Sequence, residues 1–252
     1  MPGISDPHIT VSDVAVGFAD RVLLEHLDFE IGRGEIFVIL GGSGCGKSTV
    51  MRHLIGFDKP MHGTIRVDGK PPELGRGAPG FGVLFQSGAL FGSMTLGQNV
   101  ALPLETWTDL SRADIAEIVR SKLRLVGLGG FENHLPAELS GGMKKRAGIA
   151  RALALEPPLV FLDEPSAGLD PITSAELDQL ILTLSRSLGM TLVIVTHELA
   201  SIFAIGQRCV MLDREAKGMI AIGDPRELRD HSTNATVRAF FNRKPPEAEA
   251  RA

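Results

Sequence analysis

Residues 41–49 read GGSGCGKST, directly after the apolar run EIFVIL. Four glycines bare the backbone just past a buried strand, and a helix-like STVMRHLIG follows. Glycines let successive N–H groups face a phosphate at the positive end of a helix, so this stretch suits a polyphosphate. Gly41, Gly46, Lys47 and Ser48 meet the pattern G-x-x-x-x-G-K-[ST]. Lys47 would neutralise β- and γ-phosphates, and the Ser48 hydroxyl would ligate Mg²⁺.

A second constellation lies in PLVFLDEP, where an apolar strand ends in Asp163 and Glu164. Carboxylates at the C-terminal edge of an α/β sheet stand where ligands bind. One can join the Mg²⁺ shell while the other polarises a water for attack on a γ-phosphate. A third is LSGGMKKRAGIARALALEP, in which Ser140 is a good N-cap followed by two bare glycines. It predicts a helix from Ser140 to about Leu155 and a second anion-binding helix terminus. Lys144, Lys145 and Arg151 are expected to form a solvated basic face.

These groups need a scaffold, and the pattern of apolar residues supplies one. HITVSDVAVGF and VLLEHLDFEI alternate as half-buried strands, and EIFVIL, GTIRVDG, FGVLF, PLVFLDEP and MTLVIVTH follow as further strands. From about Met94 to Leu155 the chain reads helical. Asp170-Pro171 opens another helix that closes at Gly189, with Ile172, Ala175, Leu180, Ile181, Leu184 and Leu188 as its apolar set. The expected fold class is α/β, mostly parallel, interrupted by a helical insertion.

The chain has 252 residues, is 44% hydrophobic and carries a net charge of −4. That balance supplies no basic field for nucleic acid. MPGISDPHITVSD does not read as a signal peptide, and no apolar run approaches the roughly 20 residues that cross a bilayer. The chain is therefore expected to be soluble, with any membrane role exerted through a partner. Cys45 and Cys209 make no disulfide framework. Cys45 stands at a helix N-terminus, where a thiol is expected to be acidic and open to ATP-sensitive alkylation. The other histidines (His8, His26, His53, His62, His134, His231) show no metal-ligand spacing. RKPPEAEARA at the end reads as disordered.

Taken together and in this order, the motifs resemble those of the ATP-binding subunits of ABC transporters, over about residues 8–230. GGSGCGKST is similar to the Walker A loop, LVFLDE to Walker B, LSGGM to the signature, Gln86 to the Q-loop, SAGLD to the D-loop and His197 to the switch histidine. The resemblance implies a P-loop NTPase fold with a RecA-like core (1–86 and 156–230), an N-terminal antiparallel β region, a helical subdomain (87–155) and a C-terminal extension (231–252). It implies that ATP is held by Gly41, Gly42, Ser43, Gly44, Cys45, Gly46, Lys47, Ser48 and Thr49, and Mg²⁺ by Ser48, Gln86 and Asp163. Glu164, His197 and Lys47 would be catalytic. Phe18 falls where the family stacks an aromatic on adenine, although a Phe ending a strand is as often core.

The family pairs head to tail as a homodimer. Ser140, Gly141 and Gly142 of one subunit would then complete the γ-phosphate site of the other, with Asp170 coupling the two. Met143 departs from the usual Gln of the signature. With FQSGALFGSMTLGQNVALPL and THELASIFAIGQRCVML, the chain looks most like the Mla-type phospholipid-transport ATPases. That resemblance implies an integral membrane permease, a periplasmic MCE-domain protein and a cytoplasmic STAS-domain protein as partners, at the cytoplasmic face of a bacterial inner membrane. Val237, Phe240 and Phe241 would either pack on their own domain or reach a neighbouring subunit. The same motifs also fit a soluble ABC-type ATPase acting on a protein scaffold, as in iron–sulfur cluster assembly. A chromosome-maintenance protein would need a long coiled coil, a translation factor two cassettes, and a non-hydrolysing sensor would lack Glu164; the chain matches none of these.

Overall fold

A computed structural model describes residues 4, 6–18, 21–72, 74–75, 77–86 and 88–243. The tail expected to be disordered lies, from residue 244 on, outside the described residues. In chain order the elements are β1 (Pro7–Phe18), β2 (Arg21–Gly32), β3 (Ile36–Gly41), α1 (Lys47–Leu54), β4 (His62–Val67), β5 (Phe81–Leu84), α2 (Leu96–Trp107) and α3 (Arg112–Leu125). After a short 3₁₀ turn at Pro136–Glu138 come α4 (Gly141–Ala152), β6 (Leu159–Asp163), α5 (Pro171–Leu188) and β7 (Thr191–Val195). The chain ends with α6 (Leu199–Ile205), β8 (Arg208–Asp213), β9 (Gly218–Gly223), α7 (Pro225–His231) and α8 (Ala235–Phe241). It divides into two compact units, residues 1–74 with 194–252, and residues 75–193.

In the first unit β1 pairs antiparallel with both β2 and β4, giving the sheet order β2-β1-β4. Every residue of β3 is buried, as an unbroken apolar run requires, and β3 pairs parallel with β8, which pairs antiparallel with β9. Phe29 and Phe37 stack at 5.6 Å. Val38, Leu40, Ile202, Cys209 and Met211 form a core that Val237 and Phe241 of α8 complete, with Phe240 packed against it. These phenylalanines therefore pack on their own unit; aromatic area is worth most in a core.

In the second unit β5 and β6 run parallel with β7 next to β6, and Phe81 meets Phe161 edge to face at 5.7 Å. The helix α2 opens on a reciprocal capping box between Thr95 and Gln98. The helix α5 begins with Pro171 after the cap Asp170 and ends on Gly189 at φ 62°. Its buried stripe is Leu177, Ile181 and Leu184; Ile172 is 74% exposed, and Ala175 and Leu188 also face outward. The periodicity located the helix but misassigned its apolar face at both ends. No helix among the described residues is long and apolar enough to cross a membrane.

Candidate functional site

The residues singled out by type and spacing divide between the two units. Phe18, the loop 41–49 and His197 belong to the first; Gln86, Ser140, Gly141, Gly142, Asp163, Glu164 and Asp170 belong to the second.

In the first unit the loop leaves β3 at Gly41, whose φ of 147° suits glycine alone; a Cβ there would strike the Leu212 carbonyl oxygen. The loop turns through a Cys45 N–H to Gly42 carbonyl bond of 3.3 Å and enters α1 from Gly46 at φ 105°. No side chain caps α1, and its first turn has no acidic residue. The positive end of its dipole is thus left for an anion. The Lys47 ammonium donates to the carbonyls of Gly41 and Gly42, both at 3.0 Å, which folds the buried side chain back along the loop. An ammonium carries three protons, so one is left for a phosphate oxygen. With Ser48 exposed in the first helical turn, the residues present fit a polyphosphate and its hydroxyl-bound cation.

Cys45 departs from expectation. Its thiol is 2% exposed, and burial pushes its pKa up, outweighing the pull of the Lys47 charge. Desolvation of the thiolate defeats the helix terminus here. Phe18, at the end of β1, is 59% exposed and so does not serve the core. His197 follows β7 and is exposed, next to Thr196, whose hydroxyl accepts the Glu198 N–H at 3.1 Å.

In the second unit β6 ends in Asp163, and Glu164 follows at φ 47°, both nearly buried. Few residues with a Cβ adopt this left-handed backbone, and here it turns the chain off the sheet at once. Ser140 caps α4 by accepting the Met143 N–H at 3.3 Å. A Cβ on Gly142 would collide with the Thr173 methyl, so this glycine is also required where α4 meets α5. Asp170 caps α5, accepting the N–H groups of Ile172 and Thr173 at 3.0 and 3.1 Å and the Thr173 hydroxyl; that hydroxyl is the main reason its carboxyl stays below its ordinary range.

Lys145 and Arg151 of α4 do not belong to a solvated face. Lys145 is 6% exposed and donates to the carbonyls of Gln86 at 2.6 Å and Glu164 at 2.9 Å. Arg151 donates to the Ala89 carbonyl at 2.6 Å and to that of Gly88 at 3.4 Å. The sequence holds a signal for this: Ala147, Gly148, Ile149 and Ala150 are all small or apolar, which marks a helix buried over most of its girth, with little solvent-facing arc left for charges. Among the described residues no group of His, Cys, Asp and Glu has a metal-binding arrangement.

The sequence pattern of the ABC transporter family matches residues 24–167. A protein of Mycobacterium leprae named as a ribonucleotide transport ATP-binding protein, mkl, is 42% identical over 240 residues, covering 93% of this chain and 68% of its own. The chain thus spans about two thirds of that relative. The intermembrane phospholipid transport system ATP-binding protein MlaF of Escherichia coli K12 is 38% identical over 240 residues, covering 93% of this chain and 88% of its own. Among solved structures, the dimeric post-hydrolysis state of the ATP-binding cassette MJ0796 with ADP and Pi superposes with a TM-score of 0.76 at 29% identity, covering 86% of this chain and 98% of that one. With a glycine-walled phosphate loop and a paired-carboxylate strand end on an α/β frame, the chain belongs to the ABC transporter family, as one of its ATP-hydrolysing ATP-binding domains with the P-loop NTPase fold.

Proposed function

We propose that this chain powers phospholipid transport between bacterial membranes, as the ATPase subunit of a transporter that works with an MCE-domain system. The observation that carries the reading is the 38% identity to MlaF over 88% of that protein's length. In this reading two copies pair head to tail beneath an integral permease at the cytoplasmic face of the inner membrane. A periplasmic MCE-domain protein and a STAS-domain protein complete the assembly.

The loop 41–49 holds the phosphates of ATP, with Lys47 neutralising the β- and γ-groups. Phe18 stacks on the adenine. Ser48, Gln86 and Asp163 hold Mg²⁺, which when bound neutralises charge on the phosphates. Glu164 accepts a proton from the attacking water, and His197 positions that water and the γ-phosphate. Ser140, Gly141 and Gly142 meet the partner copy's γ-phosphate, and Asp170 links the paired sites. Gln86 reports the state of the site to the permease through the helical segment 87–155. ATP binding thus favours the closed pair and hydrolysis releases it.

Glu164→Gln should bind ATP and hardly turn it over. Purified from native membranes with ATP and Mg²⁺, it should bring down a permease and an MCE-domain protein, identified by mass spectrometry. A second reading, transport of another cargo, is favoured by the 42% identity to the relative named for ribonucleotide transport. Copurification of a permease without an MCE-domain protein would select it, and a soluble scaffold alone would overturn transport.

A further inference from the structure

We propose that Lys145 is a positioning residue for ATP hydrolysis: its ammonium ties the carbonyl of Gln86 to the carbonyl of Glu164, so that both side chains are presented from one fixed backbone frame. The two bonds, 2.6 and 2.9 Å long, reach one segment that follows β5 and one that follows β6. Lys145 therefore spans the ends of two adjacent parallel strands from a third element, α4.

The need for such a brace is visible at Glu164. Its φ of 47° is a conformation that persists only where the surroundings over-determine it. The carbonyl of Glu164 accepts from Lys145 and also from the Ala167 N–H at 3.2 Å, which fixes the peptide plane on both counts. At Gln86 the hold is extended along the chain. Arg151 takes the Ala89 and Gly88 carbonyls, and a Cβ on Gly148 would stand 3.2 Å from the Gly88 carbonyl oxygen. Lys145, Gly148 and Arg151 recur at every third position, a stripe of α4 laid against Leu84, Gln86, Gly88 and Ala89.

The choice of a cation is informative. Besides holding the Gln86 and Glu164 carbonyls, the ammonium brings a positive charge within electrostatic reach of Asp163 and Glu164. A neutral donor would satisfy the carbonyls without that charge. Because α4 begins at Ser140–Gly142, the same brace makes the signature turn, Gln86 and Glu164 of one chain respond together.

This inference rests on the reading of Glu164 and Gln86 given above, and the test separates the two. ATPase rates of the assembly purified from native membranes would be compared for wild type, Lys145→Met, Lys145→Gln, Lys145→Arg and Glu164→Gln. Lys145→Met should lower kcat by about tenfold or more with KM for ATP within about twofold, the pattern of a group that acts on the chemical step. Lys145→Gln or Lys145→Arg, which restore donors, should recover most of that loss. Wild-type kcat in Lys145→Met overturns the proposal, and so does a loss that neither donor-bearing variant relieves, since that is mere disruption. Wild-type turnover in Glu164→Gln overturns the underlying reading of Glu164, whatever Lys145→Met does.

Discussion

The Cys45 sulfur lies against Gly41, 2.7 Å from where a Cβ of that glycine would stand. The thiol is thus walled in by the loop it belongs to, and burial raises its pKa. Cys209, in β8, is pushed up to about 12 by burial. The folded protein at neutral pH should take up far less than one equivalent of a maleimide, and two after denaturation, as read by intact-mass spectrometry. Rapid, ATP-sensitive labelling of Cys45 would contradict this.

Gly42 separates the fold from the ligand. A Cβ added there meets nothing within 4 Å. Gly42→Ala should therefore change stability by no more than about 0.5 kcal/mol. If its backbone faces phosphate, ATP affinity should still fall by about tenfold, some 1.4 kcal/mol. Calorimetric titration with ATP beside a thermal melt makes the comparison; unchanged affinity would remove Gly42 from the site.

Phe241 is 3% exposed in the core with Val38, Leu40 and Met211. Phe241→Ala should cost about 3–5 kcal/mol by leaving a cavity. Phe240, only partly buried against that core, should cost less. Urea denaturation of each variant tests the order. Sedimentation of folded Phe240→Ala with ATP tests whether the proposed pairing of two copies needs it; loss of association with the fold retained would give that residue a subunit contact instead.

Asp13 accepts from His26 at 2.8 Å and contacts His62 at 3.2 Å on the exposed face of the β2-β1-β4 sheet. The hydrogen bond with Asp13 raises the pKa of His26 above 6.5, and the bond with His26 lowers that of Asp13 below 3.8. A raised histidine stabilises the fold below its unfolded pKa, and that contribution is lost as pH rises through the folded value. A lowered carboxyl stabilises above its unfolded pKa and loses this as pH falls. Wild type should exceed His26→Ala in melting temperature at about pH 5.5, with the gap closing by about pH 8.5 in low salt. A gap independent of pH would rule the pair out as its source.

The places of the glycine loop after β3, of the carboxylates ending β6 and of the Ser140 cap were legible because each depends on backbone conformation set largely by neighbours in sequence. Ser140 and Asp170 cap N–H groups two or three residues on, so spacing carries the information. Lys145 was misread as solvated because its partners lie 59 and 19 residues away in sequence. Periodicity gives a helix its faces but not the identity of what covers them. The acidity expected of Cys45 failed for a related reason, since local pattern shows a helix terminus and says nothing of the desolvation imposed by packing.

Asn99, fully buried in α2, spans the carbonyls of Phe91, Met94 and Thr95 with its side-chain amide and accepts the Phe91 N–H at 2.8 Å. With Lys145 and Arg151 already gripping Gln86, Gly88 and Ala89, the stretch from Gly88 to Asn99 has little slack, although no helix or strand precedes α2 among these described residues. Its length should therefore be as constrained as its composition. A one-residue insertion between Phe91 and Met94 would throw both Phe91 bonds to Asn99 out of register while leaving those to Met94 and Thr95 in place.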